Sequence, residues 1–162
     1  MKRKVYAYIT HERRLLVFRH VDFPEAGIQV PGGTVEPGEE WEAAALREAE
    51  EETGLRDLRL VGLLGETTFD LAAYGRDEVN QRRFYHLRCK GTPPVTWRHA
   101  ELTPSEGPPD PIRFEFWWAP LPDGVPELIA EMGALLPALV RGMEREDADA
   151  WRQPPGEATA PD

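Results

Sequence analysis

Between Gly33 and Leu55 the chain carries eight glutamates (Glu36, Glu39, Glu40, Glu42, Glu48, Glu50, Glu51 and Glu52) against one base, Arg47. On a helix turning ~100° per residue, Glu51 falls ~60° to one side of Glu48 and Glu52 ~40° to the other. The three carboxylates then share one face at i, i+3 and i+4, where like charges cost ~0.2–0.5 kcal/mol per pair. A solvated face would offset this with Lys or Arg at the same spacings, and that face has none. A hard divalent cation would remove the repulsion by binding carboxylate oxygens. An oxygen-only donor set suits Mg²⁺ or Mn²⁺ rather than zinc. From the helix alone both readings stay open, a solvated acidic face and a cation site. Arg47 is expected away from the metal face, where its fork can orient a carboxylate such as Glu39.

These side chains need a helix and something to set it against. Glu40 to Thr53 holds strong helix formers in Ala43, Ala44, Ala45, Leu46 and Ala49. Gly54 stands where a left-handed cap would close it. Ala45, Leu46, Ala49 and Thr53 lie on the adjoining side of the helical wheel, so that side can pack on a sheet and aim the acids at a cleft. Upstream, Ile28–Val30 reads as a short strand running into a turn at Pro31-Gly32-Gly33. Gly33 to Gly38 has the glycine spacing of a phosphate-cradling loop, but Glu39 and Glu40 follow where Lys and Ser or Thr are required. A carboxylate there repels phosphate, which rejects a P-loop.

The rest of the chain supplies the scaffold. Strands are expected at 4–9 and 14–19 around a polar turn, and at 58–69, 82–89 and 113–121. In the last of these, Phe114, Phe116 and Trp118 point one way and Arg113, Glu115 and Trp117 the other. Residues 69–81 read as a polar connector. Residues 91–111 carry six prolines and read as a long loop with a short strand at 95–98. A second helix is expected over 127–141, with Leu128, Met132, Leu135, Leu136 and Leu139 on its apolar side and a kink at Pro137. From Glu144 the sequence turns polar and Pro-rich and reads as disordered, with Trp151 as a docking exception. The expected organisation is one α+β domain over 1–143, built around a mixed sheet, and a tail over 144–162.

Composition bounds the function. Apolar residues make up 41% of the 162 and charged residues 30%, enough for a core. No apolar run approaches the ~18 residues of a membrane span. The basic start Met1–Lys4 leads into too short an apolar stretch for a signal peptide. Cys89 is the one cysteine, which excludes an internal disulfide framework and a cysteine-built zinc site. The expected compartment is the cytoplasm. A net charge of −10 argues against long nucleic acid as a partner, yet not against a small anion if a metal ion supplies positive charge.

Gly33, Glu39 and the run Arg47-Glu48-Ala49-Glu50-Glu51-Glu52-Thr53-Gly54-Leu55 resemble the Nudix box, G-x5-E-x7-R-E-U-x-E-E-x-G-U, where U is a bulky aliphatic residue. All nine fixed positions over 23 residues fit, with Ala49 a smaller side chain than the first U position usually holds. The resemblance implies an α/β/α sandwich with a mixed central sheet and a MutT-like, Mg²⁺-dependent pyrophosphohydrolase, a hydrolase acting on acid anhydrides. Its substrate would be a nucleoside diphosphate linked to another moiety: a nucleotide, a dinucleoside polyphosphate or a nucleotide sugar. By position, Glu48, Glu51 and Glu52 look like metal ligands, with Glu51 or Glu52 also helping to activate water. Arg47 and Glu39 look like orienting partners, and Gly33 and Gly54 like turn and cap.

Outside the box, many family members add a later acid. Glu115 is the candidate here, with a carboxylate paired to Arg113 as its plainer reading; Glu66, Glu101 and Glu106 are weaker candidates. Phosphate or ribose contacts are sought at Arg19, Gly32, Gly33 and Arg82, with His20 and Arg83 beside them. For the basic residues, surface charge is the simpler expectation. Phe23, Phe69, Tyr74, Tyr85 and Trp117 could stack on a base, though core packing is the simpler reading of each. Residues 97–101 could form a lid or the contact of a homodimer. Two other classes compete: a nucleotide-sensing or partner-binding module of the same fold without turnover, whose mark would be a degraded box, and a passive cation-binding acidic protein.

Overall fold

The computed structural model describes residues 1–101 and 112–151. Along them run β1 (Lys2–His11), β2 (Arg14–His20), β3 (Gly32–Thr34), α1 (Trp41–Thr53), β4 (Leu58–Asp70), β5 (Val79–Cys89), β6 (Thr96–Glu101), β7 (Ile112–Pro120) and α2 (Leu136–Trp151). The seven strands form one mixed sheet in the order β4-β5-β1-β2-β7-β6, with β3 paired to β1. β1 runs parallel to β5 from Lys2 opposite Asn80 to Thr10 opposite Arg88.

The sheet splits where the site will sit. β1 and β2 pair only at their hairpin end, Thr10 with Leu15 and His11 with Arg14. Beyond that they diverge, and residues 28–34 fill the gap. Gln29 exchanges both backbone hydrogen bonds with Phe18 at 2.9 Å, Ala7 N–H donates to Pro31 O at 2.8 Å, and β3 pairs with Lys4–Tyr6.

Side chains alternate across this sheet. On one face Val5, Ala7, Phe18, Tyr85, Leu87 and Phe116 pack with Ala44, Ala45 and Ala49 of α1. On the other Tyr8, Leu15, Val17 and Phe84 pack with Leu128, Met132 and Leu139. The small alanines let α1 lie close to the sheet. Tyr8 Oη fastens the second layer, donating to Met132 O at 2.6 Å and accepting from Leu135 N–H at 3.2 Å. The result is the α+β fold, helices on both faces of a mixed sheet, that the sequence implies. Phe114 and Phe116 join the α1 side and Trp117 the other, as their alternation predicts.

Three local expectations change. Residues 28 and 29 form isolated bridges, to Leu128 and Phe18, and the true short strand is Gly32–Thr34. The second helix starts at Leu136 rather than 127, because Pro137 falls in its first turn, where a missing N–H costs nothing; it begins the helix instead of kinking it. Residues 129–131 form a separate 3-10 turn. The same helix continues through 144–151, expected to be part of a disordered tail. Its polar end is tied to the sheet by ion pairs Arg88–Glu146, at 2.7 Å, and Arg13–Asp147. Residues 152–162 and the second half of the Pro-rich 91–111 segment, 102–111, lie outside the described residues, as does the side chain of Trp151.

Candidate active site

Gly32 and Gly33 are extended, not turned: neither has a positive φ. What they provide is close approach. A Cβ at Gly32 would meet the Tyr6 ring at 2.5 Å and Val5 O at 2.6 Å. A Cβ at Gly33 would fall within the Glu48 carboxylate. The segment that fills the sheet split thus brings bare backbone to Glu48, past the middle of α1. Gly32 N–H also points to Glu52 Oε1, at 3.4 Å.

Arg47 organises the surrounding acids. Its Nε and Nη2 donate to the two oxygens of Glu39 at 2.7 and 2.9 Å, the expected fork. Nη2 also reaches Thr34 O at 3.2 Å, tying α1 to β3. Contrary to its expected place away from the acidic face, Arg47 Nη1 donates to Glu48 Oε1 at 2.9 Å and to Glu51 Oε2 at 3.3 Å. The reason is length: the side chain reaches along the helix far enough to serve both neighbours while its fork is occupied. This bond from Arg47, then the N–H of Glu36 at 3.0 Å, holds the Glu39 carboxyl down to about 2. That contribution to stability is present above about pH 4.5 and fades as pH falls toward 2.

The three box glutamates differ in setting. Glu48 and Glu52 are largely buried against the glycine segment, whereas the Glu51 side chain is 56% exposed. Among the described residues no three acidic, imidazole or thiol groups converge as a ready-made metal centre. The donor chemistry still fits a hard divalent cation, since every candidate ligand is a carboxylate oxygen. Bringing Glu51 in requires only that it leave Arg47, and an exposed ion pair is worth ~0–1 kcal/mol. Gly54 closes α1 in the left-handed conformation, φ 80°, with its N–H on Glu50 O.

The remaining candidates are scattered. Glu115 on β7 pairs with Arg19 at 2.7 Å and, at 3.5 Å, with Arg98, not with Arg113, which goes to Asp22 at 2.6 Å. The Arg19 contact holds the Glu115 carboxyl below its usual range. Cross-strand register explains the pairing, because Glu115 lies opposite both arginines. Glu66 pairs with Arg83 at 2.8 Å; the Glu101 side chain and Glu106 lie outside the described residues. Arg82 contradicts the surface expectation outright: it is 3% exposed, with its guanidinium over the rings of Phe69 and Tyr6. Phe69 and Tyr85 are buried in the core, Phe23 and Tyr74 more than half exposed.

Solved structures of this shape are informative. The fold is similar to that of a MutT NUDIX hydrolase from Burkholderia pseudomallei, at 25% identity over 85% of this chain and 97% of that one, with TM-score 0.62. It is also similar to an Ap4A hydrolase of C. elegans, at 17% identity over 90% and 99%, TM-score 0.60. An ADP-ribose pyrophosphatase from Streptococcus suis gives 19% over 88% and 91%, TM-score 0.55. No curated protein matches the chain. The NUDIX domain matches residues 1–139. The chain belongs to the Nudix hydrolase family. Nudix hydrolases are pyrophosphohydrolases acting on acid anhydrides, on nucleotide-type substrates and typically with a divalent metal. Among the described residues no helix is long and apolar enough to cross a membrane.

In this Nudix domain the sequence missed two side chains near the box. Lys4 Nζ donates to Thr34 Oγ1 at 3.0 Å, and burial, then the nearby Lys2 charge, lowers its pKa. Tyr6 packs on Gly32, and burial raises its phenol. Their partners lie some thirty residues away, so no local spacing marks them.

Proposed function

We propose that this protein hydrolyses the pyrophosphate bond of a nucleoside diphosphate linked to another moiety, with Mg²⁺ or Mn²⁺ as cofactor. Glu48, Glu51 and Glu52 are its metal ligands, and Glu51 or Glu52 also helps to deprotonate water. The observation that carries this reading is the placement of Glu48 and Glu52 against the bare backbone of Gly32 and Gly33, with Arg47 pinning Glu39, Thr34 and Glu48 into one unit. Bound there, the cation would supply the positive charge that so acidic a surface lacks and would lower the pKa of the attacking water. The chain's own residues do the rest. Arg47 and Glu39 orient the carboxylates, and the glycines keep side chains out of the substrate's path. Lys4, on the strand beside Thr34, adds a nearby cation for the diphosphate.

Glu115 is retained as an accessory acid only through Arg19 and Arg98, whose charges would have to be released first. Arg82 is too buried to meet a phosphate, so any part it has is indirect. We take the functional domain to be residues 1–143 together with the rest of α2, which Arg88–Glu146 and Arg13–Asp147 hold to it, working in the cytoplasm on small nucleotides rather than long nucleic acid; a homodimer through residues 97–101 is compatible with it.

The neighbours supply a substrate panel. ADP-ribose, Ap4A and a nucleoside triphosphate would be incubated with Mg²⁺ and the full chain, wild type and Glu52→Gln, and product release followed. The expected result is turnover of at least one substrate by wild type and a loss of about 10²-fold or more in the variant, its circular dichroism unchanged. Equal turnover by both proteins would remove Glu52 from catalysis. No turnover of any member would favour a sensing module instead.

A further inference from the structure

A groove of about 640 Å³ lies on the α2 side of the sheet. One wall is the end of β4 and the 3-10 turn after it, where Phe69 and Tyr74 hold their ring centroids 5.9 Å apart. The other is the apolar run Leu128–Ala130. The charged residues lining it are all acids, Asp70, Glu127 and Glu131; no Lys, Arg or His lines it among the described residues. A phosphate here would meet carboxylates and no cation. A flat aromatic ring with N–H groups at its edge would meet a ring wall, apolar contact and acceptors.

The far wall is strained and is fastened from behind. Ala130 and Glu131, consecutive and neither of them glycine, have φ of 53° and 59°, a left-handed conformation that L residues keep only where the surroundings enforce it. Arg82 Nη1 donates to Ala130 O at 2.6 Å, and its guanidinium carbon sits 3.8 Å from the Phe69 centroid and 5.1 Å from that of Tyr6. One buried side chain thus holds both groove walls. Its Nε, and Oδ1 of the equally buried Asn80 opposite Phe69, have no hydrogen-bond partner among the described residues. Unpartnered buried polar atoms are uncommon, and these two sit directly behind the Phe69 wall. On its other side Arg82 meets Tyr6, which packs on Gly32, the residue that points its N–H at Glu52. The groove is thus linked to the box glutamates by a chain of contacts through Arg82, Tyr6 and Gly32.

We propose that this groove binds the base of the nucleotide, selects bases with an exocyclic amino group over those presenting a carbonyl oxygen there, and depends on Arg82 as a positioning residue. The proposal deepens the pyrophosphohydrolase reading and rests on it for the ligand's class, but it can be measured without metal or turnover. Cytidine and uridine make a sharp pair, because position 4 carries an N–H donor in cytidine and an oxygen acceptor in uridine, with the neighbouring N3 changing from acceptor to N–H donor.

The experiment is an NMR titration of the full chain with each nucleoside, following the Tyr74 ring signals. Cytidine is expected to shift them and to bind about tenfold or more tightly than uridine, as one added hydrogen bond to a charged acceptor allows. The double variant E127Q/E131Q should lower that preference, and Tyr74→Ala should weaken both ligands. Inorganic phosphate should leave the signals unmoved. Arg82→Lys, which keeps a donor for Ala130 O, should retain the preference, and Arg82→Met should lose it with its thermal transition still cooperative. If Arg82→Met does not fold, the lysine variant decides. Equal affinities, an unmoved Tyr74, displacement of cytidine by phosphate, or a preference lost in Arg82→Lys would overturn the proposal. Because no hydrolysis is involved, a failure here leaves the turnover assay untouched, and failed turnover leaves this result standing.

Discussion

The guanidinium of Arg47 gives its fork to Glu39, a second bond to Thr34 O and its remaining amine to Glu48 and Glu51. An ammonium is a point charge on a flexible stem and cannot serve a carboxylate bidentately and a carbonyl at once. Arg47→Lys is therefore expected to keep the fold and lower kcat by about 10–100-fold, the usual cost of loosening what orients metal-binding carboxylates; steady-state kinetics beside a thermal melt would check it. The two glycines make a contrasting pair. Gly33→Ala intrudes on the end of a side chain, Glu48, and should give a folded protein with little activity. Gly32→Ala meets backbone at Val5 O and should cost about 1–3 kcal/mol of stability by overpacking. Chemical denaturation of both variants would show the difference; equal stability would contradict it. The helix that carries Glu48, Glu51 and Glu52 was legible, and with it their common face, because i, i+3, i+4 is a purely local relation. The glycines were misread as a turn because nothing local shows that a strand carries them past a carboxylate, and Arg82 was misread because burial is a property of what packs on it.

At the scale of elements, the split between β1 and β2 does the positioning, since it lets residues 28–34 enter the sheet and meet α1. Alternation in β7 and the glycine end of α1 were readable from local pattern. The start of α2 was not: its apolar residues begin at Leu128, but 128–135 reach the core through turns, and only Pro137 marked the true start. The central β5 strand carries a pH-sensitive element. Buried His86 bonds to Thr10 Oγ1 at 2.7 Å, and desolvation pulls its imidazole down to about 4. An unfolded histidine titrates near 6.5, so in acid the unfolded chain takes the proton first. The contribution of neutral His86 is complete above about pH 6.5 and is lost as pH falls toward 4, about 3 kcal/mol at most. The urea midpoint should fall over that window in wild type and fall less in His86→Gln. Parallel curves for the two proteins would contradict this assignment.

Across the whole molecule, a net charge of −10 is carried by a family that works on polyanions. Charge of that sign repels substrate unless cations intervene, and the eight glutamates around α1 are where the repulsion is densest. The sandwich buries Glu48 and Glu52 beside bare backbone and leaves Glu51 more than half exposed; in the function proposed above, these acids close on an entering ion. The most direct test is a Mn²⁺ titration followed by electron paramagnetic resonance, on wild type and on Glu48→Gln, Glu51→Gln and Glu52→Gln. The account predicts saturable binding by wild type and an affinity lower by about tenfold or more in each variant, as loss of one carboxylate ligand demands. Affinities unchanged in all three variants would place the ion elsewhere and contradict the account.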